Sequence, residues 1–263
     1  MSARLGSAVL LGACSFSPPT VTSDAPIDMT IGEEQPMLRV SDDLIGLWTF
    51  DEIAGSKIAI DTAAAGPPVN LTALDDMDRN PPVFGNGRVT AMGESLLQAP
   101  KNNHLPMDCI DMNAVTLEAW VSPSALSQGT TAEPVFIAGL TKSVMDRDVV
   151  LLHSTDRWLA LVRTGPADGT PDLMSSTPTE MKMTHLVVVA DQDERIFYID
   201  NVPQASNAPG SLAAWDPMVT MSVFEEPQKT RNWLGSISLI AIYKRALTQQ
   251  EVTRNFNLGP DAP

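Results

Sequence analysis

Hydrophobic and polar positions fall into regular order in three parts of the chain. Between Val115 and Val121 they alternate: Val115, Leu117, Ala119 and Val121 share one face, and Thr116, Glu118 and Trp120 share the other. Side chains of an extended backbone repeat every two residues, so this pattern predicts a half-buried strand. A continuous apolar run from Leu186 to Ala190 leads through a polar bend, Asp191 to Glu194, into a second strand from Arg195 to Ile199. Asp200-Asn201 comes next, a pair that tolerates left-handed backbone, and predicts a tight turn. The last pattern is a strand from Ser236 to Tyr243 and then a short helix, with Thr248 as its cap and Glu251 completing a capping box. Prolines and glycines gather between the apolar runs, as at Gly66-Pro67-Pro68, Asn80-Pro81-Pro82, Gly85-Asn86-Gly87 and Gly165-Pro166. Such punctuation predicts an all-β chain with frequent turns. No run of ~18 apolar residues offers a membrane-spanning helix, and no solenoid period is present.

Four segments carry a resemblance: LIGLWTFDEIAGSKIAIDTAAAG, VTLEAWVSPSAL, THLVVVADQDERIFYIDNVPQ and LGSISLIAIYKRALTQQEVTRNF. Their order and spacing, from Leu44 to Leu258, resemble the laminin G-like members of the concanavalin A-like lectin/glucanase superfamily. The resemblance implies a two-sheet antiparallel β-sandwich, a jelly roll, with a short C-terminal helix. The domain is expected over 44–259, with 260–263 as a tail. Trp48, Phe50 and Trp233 read as core or sheet-edge packing, and His185 coincides with a histidine of the family's framework.

The resemblance also points to calcium, because Asp61 matches the aspartate after the opening strand, where loop oxygens can hold a hard cation. Two departures weigh against it. The loop here is Asp61-Thr62-Ala63-Ala64-Ala65-Gly66, poorer in side-chain oxygens than the family's Asp-x-Ser-Gly-x-Gly, and Ser238 and Leu239 stand where the family's final strand has Asp-Glu. Plain surface acidity is the default reading, Ca2+ the alternative. Asp75, Asp76 and Asp78 read as a solvated turn rather than a second site.

The first residues obey a different chemistry. Met1 to Arg4 bring one positive charge, Leu5 to Ala13 form a short apolar stretch, and Cys14 comes at once after it. Residues 1–13 therefore read as an export signal. Leu11-Gly12-Ala13-Cys14 resembles the lipobox of bacterial lipoproteins, which implies acylation of Cys14 and anchoring in a membrane. Ser15 after the cysteine resembles the sorting pattern for the outer membrane; an ordinary secretory signal is the alternative. Residues 14–43, rich in Ser, Pro, Thr and acids, read as a disordered tether. A chain beginning at Asp42 is then expected to fold as well as a longer one. Cys109 is left without a partner and reads as a buried, inert thiol beside Asp108 and Asp111.

The 263 residues, 43% hydrophobic, suffice for one sandwich domain. A formal net charge of −15 argues against nucleic acid as a partner. Glycoside cleavage usually takes two carboxyl groups ~5–9 Å apart. No strand carries them at alternate positions: Glu225-Glu226 is adjacent and Asp191-Gln192-Asp193-Glu194 occupies the bend, so both read as solvated turns. There is no Gly-x-Ser-x-Gly elbow, and His104, His153 and His185 lack metal-ligand spacing.

The chain is accordingly expected to be a binding module rather than an enzyme, tethered to the cell envelope and directed at a glycan or at an envelope or extracellular protein. Sugar recognition needs an exposed aromatic beside carboxylates or amides. Glu118 and Trp120 meet that minimally, against a framework role for the same pair. Trp158 after a turn and Trp215 in a Pro-rich loop are the other candidates. The alternatives are a structural or adhesion lipoprotein without a glycan ligand, and a divergent glycoside hydrolase whose carboxylates come from separate strands.

Overall fold

The computed structural model describes residues 38–76, 78–165, 173–207, 210–228 and 231–261. In chain order the elements are β1 (Leu44–Trp48), β2 (Ile58–Ala59), β3 (Leu71–Ala73), β4 (Val83–Phe84), β5 (Val89–Thr90), β6 (Leu97–Gln98), α1 (Leu105–Met112), β7 (Val115–Pro123), β8 (Val135–Ser143), β9 (Asp146–Ser154), β10 (Arg157–Val162), β11 (Leu173–Met174), β12 (Thr184–Ala190), β13 (Arg195–Ile199), β14 (Val202–Asn207), β15 (Thr220–Val223), β16 (Gly235–Tyr243) and α2 (Gln249–Leu258). They form two antiparallel sheets. One runs β14-β13-β12-β7-β16-β5-β4 with β1 also on β16, and the other runs β11-β10-β9-β8-β15-β6-β3-β2. The expected sandwich with its short C-terminal helix is what the chain forms.

The local signals operate where they were expected. β12 and β13 pair from Leu186 with Ile199 to Ala190 with Arg195. The Asp191 carboxylate closes the bend between them by accepting from the N–H groups of Asp193 and Glu194, at 2.8 and 2.9 Å. Asp200 and Asn201 take φ of 48° and 65°, the left-handed pair that turns β13 into β14. At α2 the Thr248 side chain accepts from Glu251 N–H and Glu251 returns the contact, so the capping box is complete.

The core lies between the sheets. Val115, Leu117, Ala119 and Val121 of β7 pack with Leu186 and Val188 of β12 against Leu140, Val149, Leu151 and Met221 of the opposite sheet. Trp48, Phe50 and Trp233 are fully buried there, as expected. β7, however, is not half-buried. Its other face carries Trp120 into a second apolar cluster with Val187, Leu239, Tyr243 and Val252, because α2 lies over that side of the sheet. Helix and strand each bury an apolar stripe that neither could hide alone.

The domain boundary also moves. Residues up to 43 were expected to be tether, yet Arg39 and Val40 are only 3% exposed. Val40 N–H donates to Asn255 Oδ1 at 3.0 Å, and Arg39 reaches the Gly259 carbonyl at 2.6 Å and the buried Glu118 carboxylate. The packed domain therefore begins before Asp42. Breaking a buried ion pair by removing one partner costs about 3–5 kcal/mol. A chain beginning at Asp42 should accordingly be less stable than one beginning at Leu38 by about that amount in urea unfolding; coincident unfolding curves would contradict the shifted boundary.

Candidate functional site

Glu118 and Trp120 stand together on β7, as their alternation implies, but beneath α2 rather than in solvent. Glu118 is fully buried between β12 and β16. Its Oε1 accepts from Arg39 and from His185 Nε2 (3.0 Å), and its Oε2 accepts from Asn255 Nδ2 (2.8 Å). Burial alone would push this carboxyl up; the charge of Arg39 and the hydrogen bond with His185 outweigh it and hold it lowered to about 2. Trp120, 8% exposed, stacks on His185 with ring centroids 4.6 Å apart and on Phe256 of α2 at 5.8 Å. The pair expected at a ligand face is a framework contact, closed off by the helix and the N-terminal segment.

The two other tryptophans are corrected in the same sense. Trp158 is 2% and Trp215 4% exposed, so neither offers a ring face for stacking. Trp215 donates its Nε1–H to the Arg163 carbonyl at 2.8 Å, which draws the Pro-rich loop inward. Trp158 packs against His153, with centroids 4.6 Å apart, and only borders a cavity of about 130 Å3 shared with Glu180, Lys182 and Asp200. Lys182 Nζ lies 3.0 Å from both of those carboxylates. Near by, His153 Nδ1 accepts from Trp233 Nε1–H at 3.2 Å, so its Nε2–H faces Thr179 Oγ1 at 3.1 Å. Burial pushes the His153 imidazole down to about 4.

Asp61 has a different role from the one the resemblance implied. Its Oδ1 accepts from the N–H groups of Leu47 and Ala63, each at 2.9 Å, and its Oδ2 from Val69 at 2.8 Å. The carboxylate organises its own loop with the hydrogen bonds a cation would have to displace. Asp75 and Asp76 turn to Lys57 and Arg79. Among the described residues no three His, Cys, Asp or Glu side chains gather as a metal site. Glu225 and Glu226 are not a solvated turn: both are buried, with Glu225 on Arg79 (2.7 Å) and Glu226 on Arg147 (2.6 Å). Cys109 is fully buried, and burial with Asp108 and Asp148 raises its pKa, as expected of an inert thiol. Cys14 lies outside the described residues.

Two open concave surfaces among the described residues lie on either side of residues 100–104, which lead from β6 into α1. One cleft, of about 500 Å3, is lined by Pro67, Pro68, Val69, Pro100, Met107 and residues 101–104. His104 is fixed in its wall between the Asp108 carboxylate (2.9 Å) and the Pro67 carbonyl (3.0 Å). The other, of about 250 Å3, is lined by Gln98, Lys101, Lys142, Met218, Thr220 and Pro227. Asn103 Nδ2 ties the loop down, donating to Pro100 O at 2.9 Å and Thr220 Oγ1 at 3.3 Å. Apolar walls with a few convergent amides and charges are what small-ligand sites present. Pro67-Pro68 read only as turn punctuation and His104 only as a histidine without metal-ligand spacing, and nothing in the sequence joined them to the rest, because the lining comes from separated segments with no shared period.

Two buried groups give opposite pH dependences. His153, lowered from 6.5, is protonated in the unfolded chain before the folded one, so stability is lost as pH falls from about 6.5 to 4. Asp148, raised by burial from 3.8 to about 7, holds a proton in the folded chain that the unfolded one releases, so its share rises over the same descent. Asp148→Asn should steepen the acid-side loss in a series of melting temperatures, and His153→Gln should flatten or reverse it. Parallel profiles for wild type and both variants would contradict these environments.

The model for laminin G domains of the concanavalin A-like lectin/glucanases superfamily matches residues 97–253, more than half of the chain. No curated protein matches. Among solved structures, Trypanosoma rangeli sialidase in complex with 2,3-difluoro-KDN superposes with a TM-score of 0.61 at 14% identity, over 83% of this chain and 33% of the sialidase. The binding domain of Botulinum neurotoxin DC, in complex with rat synaptotagmin II, gives 0.59 at 9% identity, over 83% of this chain and 52% of the toxin domain chain. This chain thus spans a third to a half of those neighbours, and at such identities the likeness is one of fold. From the family match and the two-sheet sandwich together, the chain belongs to the concanavalin A-like lectin/glucanases superfamily, as a member of laminin G type.

Proposed function

We propose that this chain is a non-catalytic module that binds carbohydrate through the clefts beside residues 100–104, and that Cys14 tethers it to a bacterial envelope, at the outer membrane. The observation that carries the binding reading is the pair of clefts, which set Pro67, Pro100 and Met107 beside Asn102, Asn103, Gln98 and Lys101. A sugar ring offers apolar faces edged by hydroxyls, and such a mixture fits both. Glu118, Glu225 and Glu226 are committed to arginines in buried pairs, which favours binding over acid-base hydrolysis. A protein ligand is the second reading. It draws on exposed, adaptable methionines such as Met107, Met145, Met181 and Met218, and on the toxin domain that is solved with a protein partner.

A glycan array with subsequent calorimetry on the full-length Cys14→Ser chain tests the first reading. A saturable hit is expected, weakened about tenfold, or ~1.4 kcal/mol, by Met107→Asp; a folded protein that binds no glycan would overturn it. For the anchor, Cys14→Ser should move the protein from the membrane fraction to the soluble fraction, and unchanged fractionation would remove the lipid from the account.

A further inference from the structure

We infer that the smaller cleft selects an acidic sugar, one bearing a carboxylate or a sulfate, and that Lys101 and Lys142 are the residues that read its charge. The inference rests on the carbohydrate-binding reading above and specifies the ligand class of that site. The cleft lies on the outer face of the second sheet. Met221 and Val223 of β15 point into the core, so Thr220 and Ser222 face the other way, beside Gln98 of β6.

Lysines are scarce in this chain, whose acidic residues outnumber the basic ones by 32 to 17, yet two of them line this one cleft. Most of the other described cations are placed for pairing: Arg39, Arg79 and Arg147 on buried glutamates, Lys57 and Lys182 on surface carboxylates. Lys101 is exposed and has no carboxylate partner among the described residues. Lys142 is positioned by Asp216, whose Oδ2 lies 3.3 Å from its Nζ, while 55% of the lysine side chain remains open to solvent. Asp216 is itself fixed, its N–H donating to Asp148 Oδ2 at 3.0 Å.

The floor adds neutral donors and acceptors. Gln98 brings an amide, while the Thr220 hydroxyl beside it is held by the loop, donating to the Ala99 carbonyl at 3.0 Å and accepting from Asn103 Nδ2 at 3.3 Å. The apolar wall comes from Met218 and Pro227. Two ammonium groups over a polar floor complement one anionic group on a hydroxylated ring, and give a neutral sugar nothing for its extra desolvation of charge. The overall charge of −15 does not prevent this, since the field of distant carboxylates is screened over about 8 Å at physiological salt. It does restrict the ligand to short or sparsely charged glycans rather than dense polyanions.

The test is calorimetric titration of the full-length Cys14→Ser chain with short oligogalacturonates and with the same oligomers methyl-esterified, which removes the charge and keeps the ring. The acid form should bind at least about tenfold tighter, a preference that fades as salt is raised. Lys101→Met and Lys142→Met should each remove most of it, and Lys101→Arg should keep it. Equal affinity for the two forms, or an intact preference in the Lys→Met variants, would overturn the inference. If neutral glycans bind and respond to Met107→Asp while the acid form gains nothing, the carbohydrate reading stands and this inference fails. If no glycan binds in any form, both fail. Polyglutamate binding as tightly as the oligogalacturonate would overturn the sugar assignment.

Discussion

A carboxylate buried at the centre of a β-sheet has to be matched, and in this protein the matching holds both ends of the domain in place. Glu118 sits on β7, between β12 and β16, where water cannot reach it. An unpaired charge there would be very costly, so the fold is tolerable only when Arg39, His185 and Asn255 converge on it. Arg39 comes from the N-terminal segment and Asn255 from α2. Asn255 also accepts from Val40 N–H and donates to Tyr243 Oη at 3.0 Å, so one amide joins the first residues of the domain, its last helix and its last strand. Such a network does not have to add net stability; it makes arrangements without its partners unfavourable.

Closing that face divides the molecule into a framework side and a side free for recognition. α2, with Val252 and Phe256, covers Trp120, Val187 and Leu239, so that this patch of the sheet is closed to a ligand. The two clefts proposed for recognition fall beside the loop that carries Lys101 and His104 and on the outer face of the other sheet. Loops held on a rigid sandwich are where recognition can vary without disturbing the core. The tie from Asn103 to Thr220 shows how the loop is held without being buried.

The same economy governs charge. The buried glutamates Glu118, Glu225 and Glu226 each meet an arginine, whose planar fork can satisfy a carboxylate where solvent is excluded. Arg147 does so with two nitrogens, at 2.6 and 3.0 Å from the two oxygens of Glu226. Lysine, a compact and strongly hydrated charge, is used at the surface, as at Lys101 and Lys142. An acidic protein thereby keeps its interior electrically matched and exposes cations at few places.

The amino-acid sequence by itself determined β1, β7, β12, β13 and β16, the hairpin at Asp191 to Glu194, the left-handed turn at Asp200-Asn201, the Thr248 cap and the sandwich they imply. Each of these depends on neighbours within a few residues, and the order of the motifs carried the family. What the sequence left open depends on long-range contact. The alternation of Glu118 and Trp120 is the same whether the outer face meets water or a helix, and only the docking of α2, more than 130 positions away at Asn255, decided that it is buried. Arg39 looked like part of a polar tether because its partner, Glu118, lies far along the chain on β7. Trp158 and Trp215 looked free because a turn or a proline-rich loop says nothing about which way its ring will fold. Glu225 and Glu226 looked solvated until Arg79 and Arg147 were brought to them. Secondary structure is written in local periodicity, whereas burial, ion pairing and the shape of a cleft belong to the meeting of distant segments, and only the tertiary structure decides them.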